Sequence, residues 1–419
     1  MSDFAAAYGA DLREFVERLL RFDTTDFEEA PAQEWVESQL AELGFETYRW
    51  TADPAQLAAH PSFPDDVSDL RVGERPSVAG VLEFGDPDVG RTIVLNGHTD
   101  VVPADEETWT SDPFEPTWDG DDLTARGAVD MKSGVAACAF AARYLADGHG
   151  ADLDGRAVVE FVTGEEEGGV GAAAAALSNP YPFERDAAIV AEPTDLTPVV
   201  ACEGTVMKRL HIVGRSAHAA TRWEGESVLP HFETVRRAFE ELEAERAGRV
   251  ENPLYEEFPI AVPVNCGIVH AGSWASSVPA TLTAEFRIGV APGETVDEVE
   301  AEFEQRLAEV VAESEWLSAH PPGFERFSIQ FEPSEVDPDE PVVRAVQAAM
   351  RTTGLPDAEP RAETYGADAR HYIHAGIPAV VFGPGRIEQA HFPDETVHWP
   401  DVLAAGETIA EAARTYLSS

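Results

Sequence analysis

Apolar residues recur with helical spacing over residues 11–20 and 33–43, the second run stopped by Gly44, and both runs predict amphipathic helices. Short apolar runs at 77–83, 92–95, 157–163 and 187–190 have the length of buried strands, and a stretch rich in small residues, 128–145, predicts a helix among them. Strands alternating with helices imply an α/β domain layered around a largely parallel sheet. After Cys202 the pattern changes. Residues 206–213 alternate like a half-exposed strand, a charged helix follows over 228–247, two strands over 262–269 and 280–290, and a further helix over 295–312. That order predicts a small α+β sandwich. From about residue 327 the first texture returns, with a helix at 342–350, a buried strand at 379–382 and a closing helix at 402–416. The expected organisation is a discontinuous catalytic domain, 1–205 and 327–419, interrupted by a smaller α+β domain at 206–326. A length of 419 residues suits two such domains.

Charge changes the picture in one respect. The chain has 78 acidic and 29 basic residues, a formal charge of -49, and its only lysines are Lys132 and Lys208. With 44 % hydrophobic residues and periodicity along most of its length, it is expected to fold under an acid-coated surface rather than remain disordered. Such a surface suits a halophilic cytoplasm, where molar salt screens self-repulsion. The same field repels nucleic acid and anionic membranes, so neither is expected as a partner. Cys138, Cys202 and Cys266 lie far apart without CxxC spacing and read as reduced thiols. The first 21 residues are amphipathic rather than signal-like, and no apolar run is long enough for a bilayer, so a soluble cytoplasmic protein is expected.

Five segments could carry chemistry. Gly97-His98-Thr99-Asp100 directly follows a predicted strand, and in extended geometry His98 and Asp100 point to one side. Asp130 lies in Arg126-Gly127-Ala128-Val129-Asp130, at the entry to the small-residue helix, where an ordinary helix cap would also place an aspartate. Thr163-Gly164-Glu165-Glu166-Glu167-Gly168-Gly169 puts three acids at a strand end, which a cation would neutralise and a solvated surface run would also explain. Glu192 follows another strand, and His391 lies in Ala390-His391-Phe392-Pro393-Asp394-Glu395. Strand C-terminal ends are where open α/β sheets place ligands. Nitrogen and oxygen donors without cysteine suit zinc or its substitutes in hydrolysis.

The order and spelling of these segments resemble the M20 metallopeptidases, the group of acetylornithine deacetylase, succinyl-diaminopimelate desuccinylase, aminoacylase and glutamate carboxypeptidase, over nearly the whole chain. The resemblance implies a di-metal site for two zinc ions, with cobalt or manganese as substitutes. In it His98, Asp130 and Glu192 hold one ion, Asp130, Glu167 and His391 hold the other, and Asp100 supports His98. The peptide after Asp130 is expected in the cis form. Glu166 is expected to be the general base that activates water shared by the two metals. The register within Glu165, Glu166 and Glu167 comes from the family's Glu-Glu-Gly spelling alone. His218, in Gly214-Arg215-Ser216-Ala217-His218, resembles an oxyanion-binding histidine of the inserted lid that reaches across a homodimer interface. Arg287 and Arg370 resemble arginines that bind substrate carboxylate. Ser277 falls where several relatives carry asparagine.

The implied activity is hydrolysis of the amide of a small N-acyl amino acid, as in acetylornithine deacetylase. Desuccinylase, small-peptide carboxypeptidase and pyrimidine-salvage deformylase are the enzymatic alternatives. A metal-free binding protein on the same fold would require loss of the base or of a ligand.

Overall fold

The computed structural model describes residues 3–64, 67–256 and 258–419. A nine-stranded sheet forms the larger layer. Its middle is parallel: Gly155–Val162, Arg91–His98, Ala187–Val190 and Ala379–Val381 lie side by side. Antiparallel strands flank this core, Ser77–Phe84 and Glu46–Trp50 on one side and Val199–Cys202 on the other. The fold is therefore mixed α/β around a largely parallel sheet. Successive residues of a strand face opposite sides. Accordingly Ile93 and Leu95 join a core with Phe4, Phe140 and Val402 from the helices Asp3–Leu20, Lys132–His149 and Trp399–Leu417, whereas Val94 joins Val158, Val190 and Tyr372 on the other face. Coverage of both faces explains why their middles, such as Ile93 to Leu95 and Ala157 to Val159, are apolar runs rather than alternating.

The small-residue helix starts at Lys132, not at 128, because residues 126–131 are held apart as a loop by contacts described below. Its small side chains permit a close approach: a Cβ on Gly134 would lie 2.2 Å from the carbonyl oxygen of Ala191. That approach places the loop bearing Asp130 beside the strand end bearing Glu192. The strands Glu46–Trp50 and Val199–Cys202 and the helix Val170–Leu177 carry no clear pattern in the sequence, being short or built from alanine and glycine.

A second, four-stranded antiparallel sheet runs in the order Val264–Ala271, Thr281–Val290, Gly204–Val213, Gly323–Arg326. The helices Val228–Ala247 and Val296–Glu313 pack against it around Phe239, Phe286, Phe303 and Leu210. Only Glu203 separates its strand Gly204–Val213 from Val199–Cys202 of the large sheet. The edge strand Val264–Ala271 is exposed over most of its length.

Both lysines are buried: Lys132 donates to the Phe22 carbonyl, and Lys208 pairs with Glu300 and Glu304. The exposed cations among the described residues are thus arginines and histidines, scattered in a field of carboxylates. No described helix is long and apolar enough to cross a membrane. If self-repulsion of the -49 charge limits stability, the thermal midpoint followed by circular dichroism should rise by roughly 10 °C or more between low salt and molar KCl. A midpoint independent of salt would contradict that account.

Candidate metal centre

Five segments remote in sequence meet at the C-terminal edge of the parallel strands. His98 ends its strand and is almost fully buried. Its Nε2 lies 3.0 Å from Asp130 Oδ1 and 3.9 Å from Glu192 Oε1. From the opposite side His391 Nε2 lies 3.4 Å from Asp130 Oδ2 and 3.0 Å from Glu166 Oε1. Each oxygen of Asp130 therefore faces one imidazole. The donors form two groups that share Asp130: His98, Asp130 and Glu192, and Asp130, Glu166 and His391.

Burial and crowding of charge set the electrostatics of these donors. Burial and the neighbouring Asp130 push the Glu192 carboxyl well above its ordinary range, and burial with Asp368 and Glu192 does the same to Glu165. Burial opposes ionisation of Asp130 as well, but contacts with His391 and His98 outweigh it and hold the group well below the usual carboxylate range. Burial disfavours the charged form of His391, yet Asp130 and Glu166 push it up to about 11. The carboxylates thus favour positive charge at this spot. Two imidazoles and two glutamates arranged around a shared aspartate fit a pair of divalent ions bound through nitrogen and oxygen.

Other groups hold these donors in place. His98 Nδ1 pairs with the backbone carbonyl of Asp100 at 2.9 Å, while the Asp100 carboxylate stands 3.6 Å away. That carboxylate accepts instead from the amides of Gly164 (2.7 Å) and Glu166 (3.0 Å). The expected side-chain partnership is therefore a carbonyl partnership, and the carboxylate orients the glutamate turn. The Asp130 loop is fixed by Glu395. This fully buried carboxylate accepts from Gly127, Val129 and Asp130 amides at 2.7–3.0 Å and from Arg126 Nη1 at 2.7 Å. Because Glu395 is four residues beyond His391, the clamp also ties the two sides of the centre together. His391 itself adopts φ +60°, an uncommon backbone for a residue with a side chain and one that the surrounding loop must enforce. The Asp130–Met131 peptide is cis, as the resemblance implied.

The expected register of the three glutamates is not what the structure places. Gly164 (φ +74°) turns the chain sharply, and a Cβ there would meet Val170 at 2.8 Å. Beyond the turn Glu165 and Glu166 face the centre, and Glu167 points away. Arg75 Nη2 donates to Glu167 Oε2 at 2.7 Å, and Arg75 Nε donates to the buried Glu29 at 2.9 Å. Glu167 thus belongs to a separate group with Glu29 and Asp100, and burial with Asp100 pushes its carboxyl up to about 7. Glu166, expected as the base, occupies the donor position expected of Glu167. Three identical residues in a row offered no sequence signal for this shift; the buried Arg75 and the turn at Gly164 decide it.

The family model of peptidase family M20/M25/M40 matches residues 94–415. This chain belongs to that family. It is 25 % identical over 406 residues to an N-formyl-4-amino-5-aminomethyl-2-methylpyrimidine deformylase of Halalkalibacterium halodurans, covering 91 % of this chain and 87 % of that one. It is 30 % identical over 328 residues to an acetylornithine deacetylase of Erwinia tasmaniensis, covering 77 % and 80 %. In fold it resembles a di-peptidase of Saccharomyces cerevisiae, with a TM-score of 0.76 at 15 % identity over 99 % and 98 % of the chains. It also resembles a dinuclear metal binding M20 peptidase of Bacillus subtilis, with a TM-score of 0.61 at 17 % identity over 99 % of each. Membership of the M20 peptidases makes the chain an enzyme acting on amide bonds.

The M20 centre opens into a cavity of about 440 Å³, to which Glu165, Glu166, Glu192 and Arg287 all contribute. Arg287 Nη2 donates to the Thr364 carbonyl at 2.8 Å, and its Nη1 stands 3.6 Å from Glu203, whose carboxyl burial pushes up to about 8. Arg370 does not reach the cavity. It is buried, donates to the carbonyls of Gly168 (2.7 Å) and Ala367 (3.1 Å), and stacks on Phe331, so its guanidinium braces the glutamate turn from behind. His218 and Ser277 pair in an isolated bridge on the four-stranded unit and do not line the cavity; His218 Nδ1 accepts from the Ala220 amide at 3.1 Å. The observed register yields a direct test: Glu166→Gln should lower metal stoichiometry measured by elemental analysis by about one ion per chain, while Glu167→Gln should retain both. The opposite pattern would restore the register expected from the sequence.

Proposed function

We propose that this M20 enzyme is a deacylase that hydrolyses the amide of a small N-acyl amino acid, with Glu165 as general base. The observation that carries the reading is the state of Glu165. Its carboxylate is buried, lines the cavity beside both donor groups, and leaves Oε1 without a hydrogen-bond partner. Burial and the nearby Asp368 raise its proton affinity, which suits a group that must accept a proton and then release it.

His98, Asp130 and Glu192 would hold one zinc ion, and Asp130, Glu166 and His391 the other. Such a pair supplies Lewis acidity toward the amide carbonyl and lowers the pKa of water. Glu165 takes a proton from the attacking water and passes it to the amide nitrogen as the carbon–nitrogen bond breaks, leaving a free carboxylate and an amine. Arg287 holds the carboxylate of the amino-acid half with its planar fork. Asp100 and Glu395 hold the reacting groups in register through backbone amides. A second reading, a deformylase acting on a neutral formamide attached to a heteroaromatic ring, is favoured by the apolar part of the cavity and by the similarity to the pyrimidine deformylase.

The four-stranded unit, residues 204–326, acts as a lid through which two copies pair. Ile268 and Val269 on its exposed edge strand, together with Trp223 and Trp274, support that pairing, since an unpaired edge with apolar side chains is a template for another strand. In such a dimer His218, at the same surface, would reach the partner's cavity.

Glu165→Gln should keep its metal content and lose about 10²- to 10⁴-fold in kcat for amine release from N-acyl amino acids. Near-complete activity in that variant would remove Glu165 as the base. Sedimentation in molar KCl should give a dimer, and Val269→Lys should shift it toward monomer; a wild-type monomer with full activity would rule out a role for His218 across an interface.

A further inference from the structure

Beyond the metal donors, the wall of the cavity is formed by Met207 and Arg287 from the four-stranded unit and by Ile329, Phe331, Tyr365 and Ile387. The other lining residues on that side are neutral, Thr205, Ser328 and Gly366. All four carboxylates among the described lining residues, Asp130, Glu165, Glu166 and Glu192, belong to the centre itself. In a chain with 78 acidic residues, the described wall carries no acid outside the centre. A substrate bound across the cavity would have its amide at the donors and its remaining bulk against this wall.

Chemistry then separates the candidate substrates. An ammonium group at the end of a side chain, as in an N-acyl diamino acid, would be taken from water onto a lining whose one charged residue outside the centre, among those described, is an arginine. Burial of an unpaired cation is costly, and a like charge adds to the cost. An aliphatic or aromatic side chain gains by the same burial, and Phe331 and Tyr365 offer ring faces and edges to an aromatic one. The 440 Å³ volume lies in the range of small-molecule sites.

We infer that the enzyme selects N-acyl amino acids whose side chain is uncharged and apolar, and discriminates against those carrying a second amine, because Met207, Ile329, Phe331 and Ile387 face the side chain and no carboxylate does. The inference rests on the deacylase reading above and departs from the substrate named for the acetylornithine deacetylase relative.

The test is a comparison of kcat/KM for N-acetyl-L-leucine, N-acetyl-L-phenylalanine, N-acetyl-L-ornithine and N-formyl-4-amino-5-aminomethyl-2-methylpyrimidine, with the metal-loaded full chain in molar KCl. The leucine and phenylalanine compounds should exceed the ornithine compound by at least about tenfold. Met207→Glu, which supplies the missing carboxylate, should move the leucine-to-ornithine ratio toward ornithine by about tenfold or more. Ile387→Glu, on the short helical turn Ile387–Gln389, serves the same purpose should the first variant fail to fold. Equal or better turnover of the ornithine compound by the unaltered enzyme would overturn the inference and leave the deacylase reading intact. Preferential turnover of the pyrimidine formamide would overturn it in favour of the deformylase reading. No release from any of the four by protein with two ions bound would overturn both.

Discussion

Asp130 sits between two imidazoles, one on each carboxylate oxygen, and much of the surrounding structure serves to keep it there. Buried acidic groups in this number repel one another unless cations intervene. The pKa directions record the tension: Glu165 and Glu192 are pushed toward their neutral forms, while His391 is driven toward its charged form. A divalent pair would reverse that balance, since a bound ion becomes the largest local charge and stabilises the ionised carboxylates. The protein therefore has to hold the donors close together before any ion compensates them, and it does so with backbone amides. Glu395 collects three amides of the Asp130 loop, and the Asp100 carboxylate collects two of the glutamate turn. Both supports are buried carboxylates whose charge is spent on fixed dipoles, which leaves the donors themselves free.

The fold supplies the convergence. Parallel strands deliver His98, the glutamate turn and Glu192 to one edge of the sheet. The small-residue helix lets the Asp130 loop approach that edge closely. The loop bearing His391 completes the centre from outside the sheet and is tied to it through Glu395. The four-stranded unit joins the large sheet across the single residue Glu203, and Arg287 reaches back from it to the Thr364 carbonyl. The cavity is thus bounded by both sheets, with the chemistry on one and part of the recognition surface on the other.

The surface and the cavity follow opposite rules. Outside, carboxylates dominate and lysine is missing among the described residues, with both lysines withdrawn into buried contacts. Inside, acids are confined to the centre, and the rest of the described lining is uncharged apart from Arg287.

The sequence by itself determined the architecture and most of the site. Periodicity and strand length marked the parallel core, because a strand covered on both faces carries an apolar run through its middle. The texture change after Cys202 marked the second sheet. His98, Asp130, Glu192 and His391 were legible because each stands at a strand end or turn whose spelling is local. What only the tertiary structure decided was orientation. Glu165, Glu166 and Glu167 are chemically identical neighbours, and their roles differ because Gly164 turns the chain and Arg75, buried against Glu29, draws the third one away. Arg370 has the residue type of an anion binder but is enclosed behind Phe331, and Arg287 has a similar type but lines the cavity. Local patterns specify which face of an element is apolar; they carry no record of which remote group will lie opposite a given side chain, and that opposition set the register of the glutamates and the character of the substrate wall.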